Sequence, residues 1–295
     1  MKKIFNYKTL AILLALAFAI SLSACAGAGP EDAEGAPGGN QDTGALTGTI
    51  TVSGSMYVQP LLQELCEAFK AVEPGITVDI QGSSSEKGIT DVTEGIADIG
   101  ASSRELTEEE KNAGLTGSVI AYDGIAVVTH SSAAITNLTK EQIAKIFNGE
   151  IKNWKDAGGP DKEILVVSRE EGSEIRDDFE DVLKLQETGD GKKVSLVRAD
   201  ALVMDGPGAV QAIISARDNA IGYTSMGSTD DSMKKISVEG AECTTSTLRD
   251  RSYPLSVPFL IVTRGDSKPE VQAFINYILG ADGQKIVGEN YGNAK

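Results

Sequence analysis

The sequence predicts an α/β protein with largely parallel strands on a chain long enough for about two domains, and three observations support this. The chain has 295 residues, which is about two domains' worth of polypeptide. Hydrophobic residues make up 41 % of it, enough to bury a core of that size. From Gly48 onward, short strand-like segments alternate with segments of helical periodicity, the order typical of α/β folds.

The first elements follow the order strand, helix, strand, helix, strand. Strands are predicted at 49–52, 76–80 and 97–100, with a polar turn and a short helix between the last two. The first helix is predicted from apolar residues at helical spacing: Val58, Leu61, Leu62, Leu65 and Phe69. A βαβαβ order favours a parallel sheet with ligands at the carboxyl ends of its strands.

The rest of the chain repeats this style without an internal sequence repeat. Thr139 and Gln142 form a capping box that begins a helix. Ile175 and Phe179 mark another helix, which follows a turn at 168–173. The remaining predicted elements are strands at 120–129, 164–167, 220–223 and 255–263, and helices at 205–216, 269–279 and 281–288.

The N-terminus has the pattern of an export signal. Three lysines precede an apolar run at 10–20, which is too short to span a bilayer, and Leu22 to Cys25 forms a lipobox-like sequence. We therefore expect a signal peptide at 1–24, acylation of Cys25, and a flexible, Gly- and Pro-rich tether at 25–47. The alternative is an ordinary secretory signal with an incidental cysteine.

Composition excludes several classes of function. The formal charge is −16, and no run of Lys and Arg is present, which argues against nucleic-acid binding. A single histidine, His130, and scattered cysteines leave no metal site, no cofactor site and no nucleophile–base pair for an enzyme. Cys66 and Cys243 could form a disulfide outside the cell, but two separate buried thiols are favoured because Cys66 lies on an apolar helix face.

Several motifs together resemble the phosphate-binding subunit, a substrate-binding lipoprotein, of bacterial ABC phosphate importers. The matching segments occur in order over roughly residues 48–292, at 98–104, 138–149, 153–155, 220–223, 253–256 and 283–287. The resemblance implies a two-lobed, type II periplasmic-binding-protein fold that the chain crosses twice through a hinge. Lobe 1 would be 48–124 plus 258–295, and lobe 2 would be 125–257.

The resemblance also implies a ligand site between the lobes. A small oxyanion is held best by N–H groups at helix N-termini, by hydroxyls and by an arginine. A carboxylate would accept the proton of hydrogen phosphate. The positions carried over are Ser55, the backbone N–H of Tyr57, Ser85, Asp98, Arg169 and Ser173. A purely structural interpretation stays open, in which the serines are helix caps and Arg169 is a surface ion-pair partner.

Three residues depart from the family pattern. Met56 and Ile175 stand where the family has threonine hydroxyls, and Glu174 stands where it has glycine. In the first turn of a helix, the negative charge of Glu174 would interact favourably with the helix dipole. If its side chain turned toward the cleft, it would compete with an incoming anion for the same N–H groups.

Two functions follow. The first is an extracellular lipoprotein that captures inorganic phosphate and delivers it to a membrane-embedded ABC permease. The alternative is the same fold adapted to another small ligand or to a sensory role, which Met56, Glu174 and Ile175 favour. In either case we expect a monomer on the outer face of the bacterial cytoplasmic membrane, attached to the membrane only by lipid. The sequence determines neither the affinity for the ligand nor the identity of the cognate permease.

Overall fold

A computed structural model describes residues 46–189 and 192–294 of the chain. The predicted signal peptide and acylated Cys25 lie outside these residues, as does the tether except for its last two residues. Within the described part, no helix is long and apolar enough to cross a membrane.

The described strands confirm each strand predicted from the sequence and add short ones. They are β1 (Gly48–Ser55), β2 (Ile76–Ser83), β3 (Ile99–Ser102), β4 (Leu115–His130), β5 (Asn137–Leu138), β6 (Leu165–Arg169), β7 (Gln186–Gly189), β8 (Lys192–Ser195), β9 (Leu202–Met204), β10 (Ala220–Ser225), β11 (Met233–Lys235), β12 (Ser237–Val238), β13 (Ser256–Arg264) and β14 (Gly292–Asn293).

The helices likewise include every predicted one. They are α1 (Gln59–Val72), α2 (Ser85–Thr93), α3 (Glu108–Asn112), α4 (Lys140–Phe147), α5 (Glu174–Val182), α6 (Pro207–Ala216), α7 (Thr245–Arg249), α8 (Pro269–Leu279) and α9 (Ala281–Asn290). The capping box predicted at the start of α4 is present, with Thr139 and Gln142 satisfying each other's backbone N–H groups.

A mixed sheet with strand order β2-β1-β3-β13-β4-β10-β6-β9 forms the centre of the fold. β1 pairs in parallel with both β2 and β3, as the βαβαβ order predicted. β13 runs antiparallel to β3 and β4, so the sheet is not wholly parallel. The carboxyl ends of β1, β2 and β3 consequently lie at one edge, where the helices α1 and α2 begin.

β4 changes partner in the middle of its length. Residues 115–124 pair with β13, whereas residues 125–129 pair with β10. β13 itself begins beside this point, with Ser256 opposite Gly124. The chain thus crosses between the two halves of the sheet once within β4 and once just before β13, which supports the boundaries that we propose for lobe 1 (48–124 plus 258–295) and lobe 2 (125–257).

The core of lobe 1 lies between the sheet and α1, α8 and α9. The predicted apolar face of α1 is buried, and Phe69 packs against Phe274 and Tyr277 with ring centroids 5.0 and 5.3 Å apart. The backbone of Gly54 in β1 lies so close to Ala101 of β3 that no side chain would fit between them. This close packing fixes the end of β1 beside the end of β3.

An aromatic cluster of Phe147, Phe179 and Tyr223 organises lobe 2. Phe179 of α5 stacks on Tyr223 of β10 with ring centroids 3.9 Å apart, and Phe147 packs edge-on against Phe179 at 4.7 Å. Such pairs contribute about 0.5–1.5 kcal/mol each beyond their buried area. The cluster holds one face of α5 against lobe 2 and leaves its opposite face toward lobe 1.

The two cysteines of the described residues are free thiols. Cys66 is half-buried on α1, and Cys243 is fully buried. This agrees with the interpretation that the sequence favoured over a disulfide.

Candidate functional site

Three serines stand where the parallel strands of lobe 1 end. Ser55 is the last residue of β1, Ser85 is the first residue of the helix that follows β2, and Ser103 comes directly after β3. All three are buried. Their hydroxyls and the N-terminus of α2 form a donor-rich surface of the type that binds oxyanions.

The carboxylate of Glu174, from lobe 2, lies on this surface. Ser55 Oγ donates to Glu174 Oε2 at 2.7 Å. Ser85 donates twice to Glu174 Oε1, from its backbone N at 2.8 Å and from its Oγ at 2.6 Å. The side chain of Glu174 therefore reaches across the cleft from the first turn of α5 to the first turn of α2.

The geometry of these donors is fixed by further hydrogen bonds within lobe 1. Ser55 Oγ accepts from the backbone N of Tyr57 at 3.2 Å, and Ser85 Oγ accepts from the backbone N of Ser103 at 3.0 Å. Because each hydroxyl has one proton and already accepts a bond, that proton is directed at the acceptor in the cleft.

Asp178 makes a second contact between α5 and lobe 1. Ser103 Oγ donates to Asp178 Oδ2 at 3.2 Å. Burial raises the pKa of Asp178 to about 8, and the nearby charges of Glu174, Asp177 and Asp181 act in the same direction, while the bond from Ser103 opposes them. Asp178 is thus largely protonated at neutral pH, which limits its repulsion of Glu174.

Arg169, at the end of β6, faces the cleft in an ion pair. Its Nε and one terminal nitrogen donate to the two carboxylate oxygens of Glu170, both at 2.7 Å. The hydrogen bond from Arg169 lowers the pKa of Glu170 to about 2 although partial burial opposes this. The backbone N of Arg169 donates to the hydroxyl of Tyr223 at 3.3 Å, so the aromatic cluster positions the arginine.

A cavity of about 430 Å³ separates the lobes beside these contacts. It has the size of a small-molecule site. Among the residues that line it are six that the sequence proposed for ligand binding, namely Met56, Tyr57, Arg169, Ser173, Glu174 and Ile175. Met56 is the most exposed of these, whereas Ser173 and Ile175 are buried.

Asp98 does not belong to the site, and its proposed ligand-binding role is corrected. It precedes β3 rather than following it, and its carboxylate accepts from the backbone N of Thr51 at 3.0 Å. Thr51 lies four residues before Ser55, about 13 Å away along the strand. Lys268 pairs with Asp98 at 2.7 Å and lowers its pKa although burial works to raise it.

Ser103 and Asp178 were missed from the sequence. A sequence signal existed for both residues. Ser103 lies in the same motif that supplied Asp98, and Asp178 is four residues after Glu174, hence on the same helix face. The carried-over role placed Asp98 at the end of a buried strand, whereas Asp98 stands at the beginning of β3 and Ser103 follows the end of that strand.

A further buried carboxylate, Asp123, was also missed and lies where β4 changes partner. It accepts from Ser225 Oγ at 2.5 Å and from the backbone N of Gly124 at 2.7 Å. Burial raises its pKa to about 6, against the lowering effect of these bonds. Asp123 therefore links β4 to the end of β10 close to the crossing between the lobes.

The fold and the cleft together define a two-lobed α/β binding protein, and comparisons with known proteins agree. The profile of the PBP superfamily domain matches residues 39–282. The phosphate-binding protein PstS of Borreliella burgdorferi is 33 % identical over 257 residues, covering 85 % of this chain and 90 % of that protein.

Two solved structures are also similar. An ABC-type phosphate transport receptor from Vibrio cholerae is 36 % identical with a TM-score of 0.77, covering 83 % of this chain and 99 % of that one. A substrate-binding protein from Clostridium perfringens, whose crystal structure contains bound phosphate, is 38 % identical with a TM-score of 0.72, covering 84 % and 100 %. The chain therefore belongs to the PBP superfamily and, within it, to the PstS family of phosphate-binding proteins, which confirms the resemblance found in the sequence.

The raised pKa of Asp178 predicts a specific pH dependence of stability. Its unfolded value is near 3.8 and its folded value about 8, so between these the folded state keeps a proton that the unfolded state has lost. This group therefore makes the protein less stable as the pH rises through that window. We expect Asp178→Asn to remove this loss and to be more stable than the natural protein at pH 9 by about 1 kcal/mol or more.

Urea unfolding at pH 5, 7 and 9 measures the effect. Asp79→Asn, on the exposed side of β2, is the matched control and should follow the natural protein. Identical pH profiles for Asp178→Asn and the natural protein would contradict the prediction.

Proposed function

We propose that the chain captures inorganic phosphate in the cleft between its lobes and delivers it to a membrane-embedded ABC permease. The observation that carries this proposal is the convergence of Ser55 Oγ, Ser85 N and Ser85 Oγ on one carboxylate at 2.6–2.8 Å. Donors arranged around one oxyanion can hold another. The similar proteins described above, one of them with bound phosphate, support the same ligand.

Lobe 2 would supply the opposite side of the site. Among the described residues that line the cavity, Arg169 is the cation. The first N–H groups of α5 begin after Ser173, whose side chain makes no capping bond to them. A phosphate held by lobe 1 would meet both when the lobes are closed. With Asp98 excluded, the carboxylates that line the cavity, three of them from lobe 2, are the candidates to accept a phosphate proton. The chain would act as a binding protein, not as an enzyme.

A second candidate function keeps the fold and changes the ligand. In the described part of the chain, four acidic residues and one arginine line the cavity; the acidic ones are Glu64, Glu170, Glu174 and Asp205. Exposed Met56 adds an apolar edge. A ligand with a cationic or hydrogen-bond-donating group would suit this lining better than a dianion does.

Calorimetric titration of the mature polypeptide, residues 25–295, distinguishes the two candidates. Phosphate should bind, and Arg169→Ala should weaken it at least about 100-fold, because charged hydrogen bonds are lost and Glu170 is left unpaired near the anion. Arg217→Ala, at the exposed far end of α6, is the control and should bind as the natural protein does.

Sulfate, arsenate and a panel of amino acids complete the titration. Binding of an amino acid or another cation-bearing ligand, with no response to phosphate, would replace the first candidate by the second. Equal phosphate affinities for Arg169→Ala and Arg217→Ala would remove Arg169 from the proposed site.

We further propose that acylation of Cys25 holds the protein on the outer face of the cytoplasmic membrane as a monomer. The lipobox-like Leu22 to Cys25 supports the lipid anchor. Cys25→Ala should leave the membrane fraction, since acyl chains would provide the membrane affinity. Cys66→Ala is the matched control and should stay membrane-bound. Retention of Cys25→Ala on membranes would contradict the anchor.

A further inference from the structure

We propose that Glu174 is a tethered competitor of the ligand, which closes the two lobes in the ligand-free protein and must leave before an oxyanion can bind. This inference rests on the proposed function for the identity of the ligand. The closure itself follows from contacts within this chain and can be tested without any ligand.

The first step is mutual exclusion. The backbone N of Ser85 has one proton, which points at Glu174 Oε1 from 2.8 Å. The hydroxyl protons of Ser85 and Ser55 are also directed at this carboxylate, at 2.6 and 2.7 Å. A phosphate oxygen in any of these positions would overlap the carboxylate and find its donor already engaged. Glu174 and phosphate therefore cannot share the lobe 1 donors.

The second step concerns where the competitor is attached. Glu174 is the first residue of α5, and α5 is fixed to lobe 2 through Phe179 in the aromatic cluster. The donors belong to lobe 1. The bonds of Glu174 therefore join the lobes in the way that a ligand would, and they favour the closed arrangement by contacts that exist only in it.

A third observation shows that the contact between α5 and lobe 1 involves more than one side chain. Asp178, one turn further along α5, accepts from Ser103 Oγ at 3.2 Å. Glu174 and Asp178 thus place one acidic face of α5 against the three serines at the strand ends. Burial raises the pKa of Asp178 to about 8, which favours its neutral form beside the carboxylate of Glu174.

Competition from a tethered group lowers apparent affinity without changing the site. The ligand's apparent dissociation constant rises by the inverse of the fraction of protein in which the donors are free. A carboxylate held by three short bonds leaves that fraction small. We expect removal of the carboxylate to tighten phosphate binding at least tenfold.

The test compares Glu174→Ala with Glu171→Ala in the mature polypeptide. Glu171 is exposed, lies three residues earlier in the turn that precedes α5, and serves as a matched loss of charge. Small-angle scattering without ligand should give a larger radius of gyration for Glu174→Ala than for the natural protein and for Glu171→Ala. Phosphate should compact Glu174→Ala and bind to it at least tenfold more tightly.

A second variant distinguishes opening of the cleft from misfolding. Glu174→Gln keeps the size of the side chain but loses the charge that strengthens its hydrogen bonds, so it should also expand, with an unchanged circular dichroism spectrum. An unchanged ligand-free radius for both variants overturns the proposal, whatever phosphate does. Expansion of both variants with no phosphate binding by any form supports the closure by Glu174 and overturns phosphate as the ligand.

Discussion

A single carboxylate meeting a set of preorganised donors is the interaction on which the site depends. Ser55 and Ser85 can converge on Glu174 only because β1, β2 and β3 run parallel and end at one edge. The glycine backbone at Gly54 allows β1 and β3 to lie close enough for this. The register of three strands in lobe 1 thus fixes the positions of donors that act in the cleft.

The positions of the functional groups of lobe 2 likewise depend on packing. The stack of Phe179 on Tyr223 orients α5, and the hydroxyl of Tyr223 also accepts from the backbone N of Arg169. One aromatic cluster therefore positions both Arg169 and the helix that carries Glu174. Because Arg169 is already paired with Glu170, an incoming anion would gain from it less than it would from a free guanidinium.

The alternation of strands and helices, the apolar face of α1 and the cap of α4 were predictable because each is encoded within a few neighbouring residues. The donors Ser55 and Ser85 could also be predicted, since turns at strand ends have recognisable sequences. Asp98 was misassigned because the resemblance was carried over to the residue at the beginning of β3, whereas Ser103 stands after its end, on the side of the cleft. The direction of the Glu174 side chain could not be predicted, because it depends on contacts with residues 89 and 119 positions away.

A crystal structure of the mature polypeptide grown with phosphate tests the central claim most directly. The account predicts a phosphate ion in the position now taken by the Glu174 carboxylate, within hydrogen-bond distance of Ser55 Oγ and Ser85 N. The Glu174 side chain should be turned out of the lobe 1 donors. A saturated crystal in which Glu174 still accepts from Ser55 and Ser85, with phosphate absent or bound elsewhere, would contradict it.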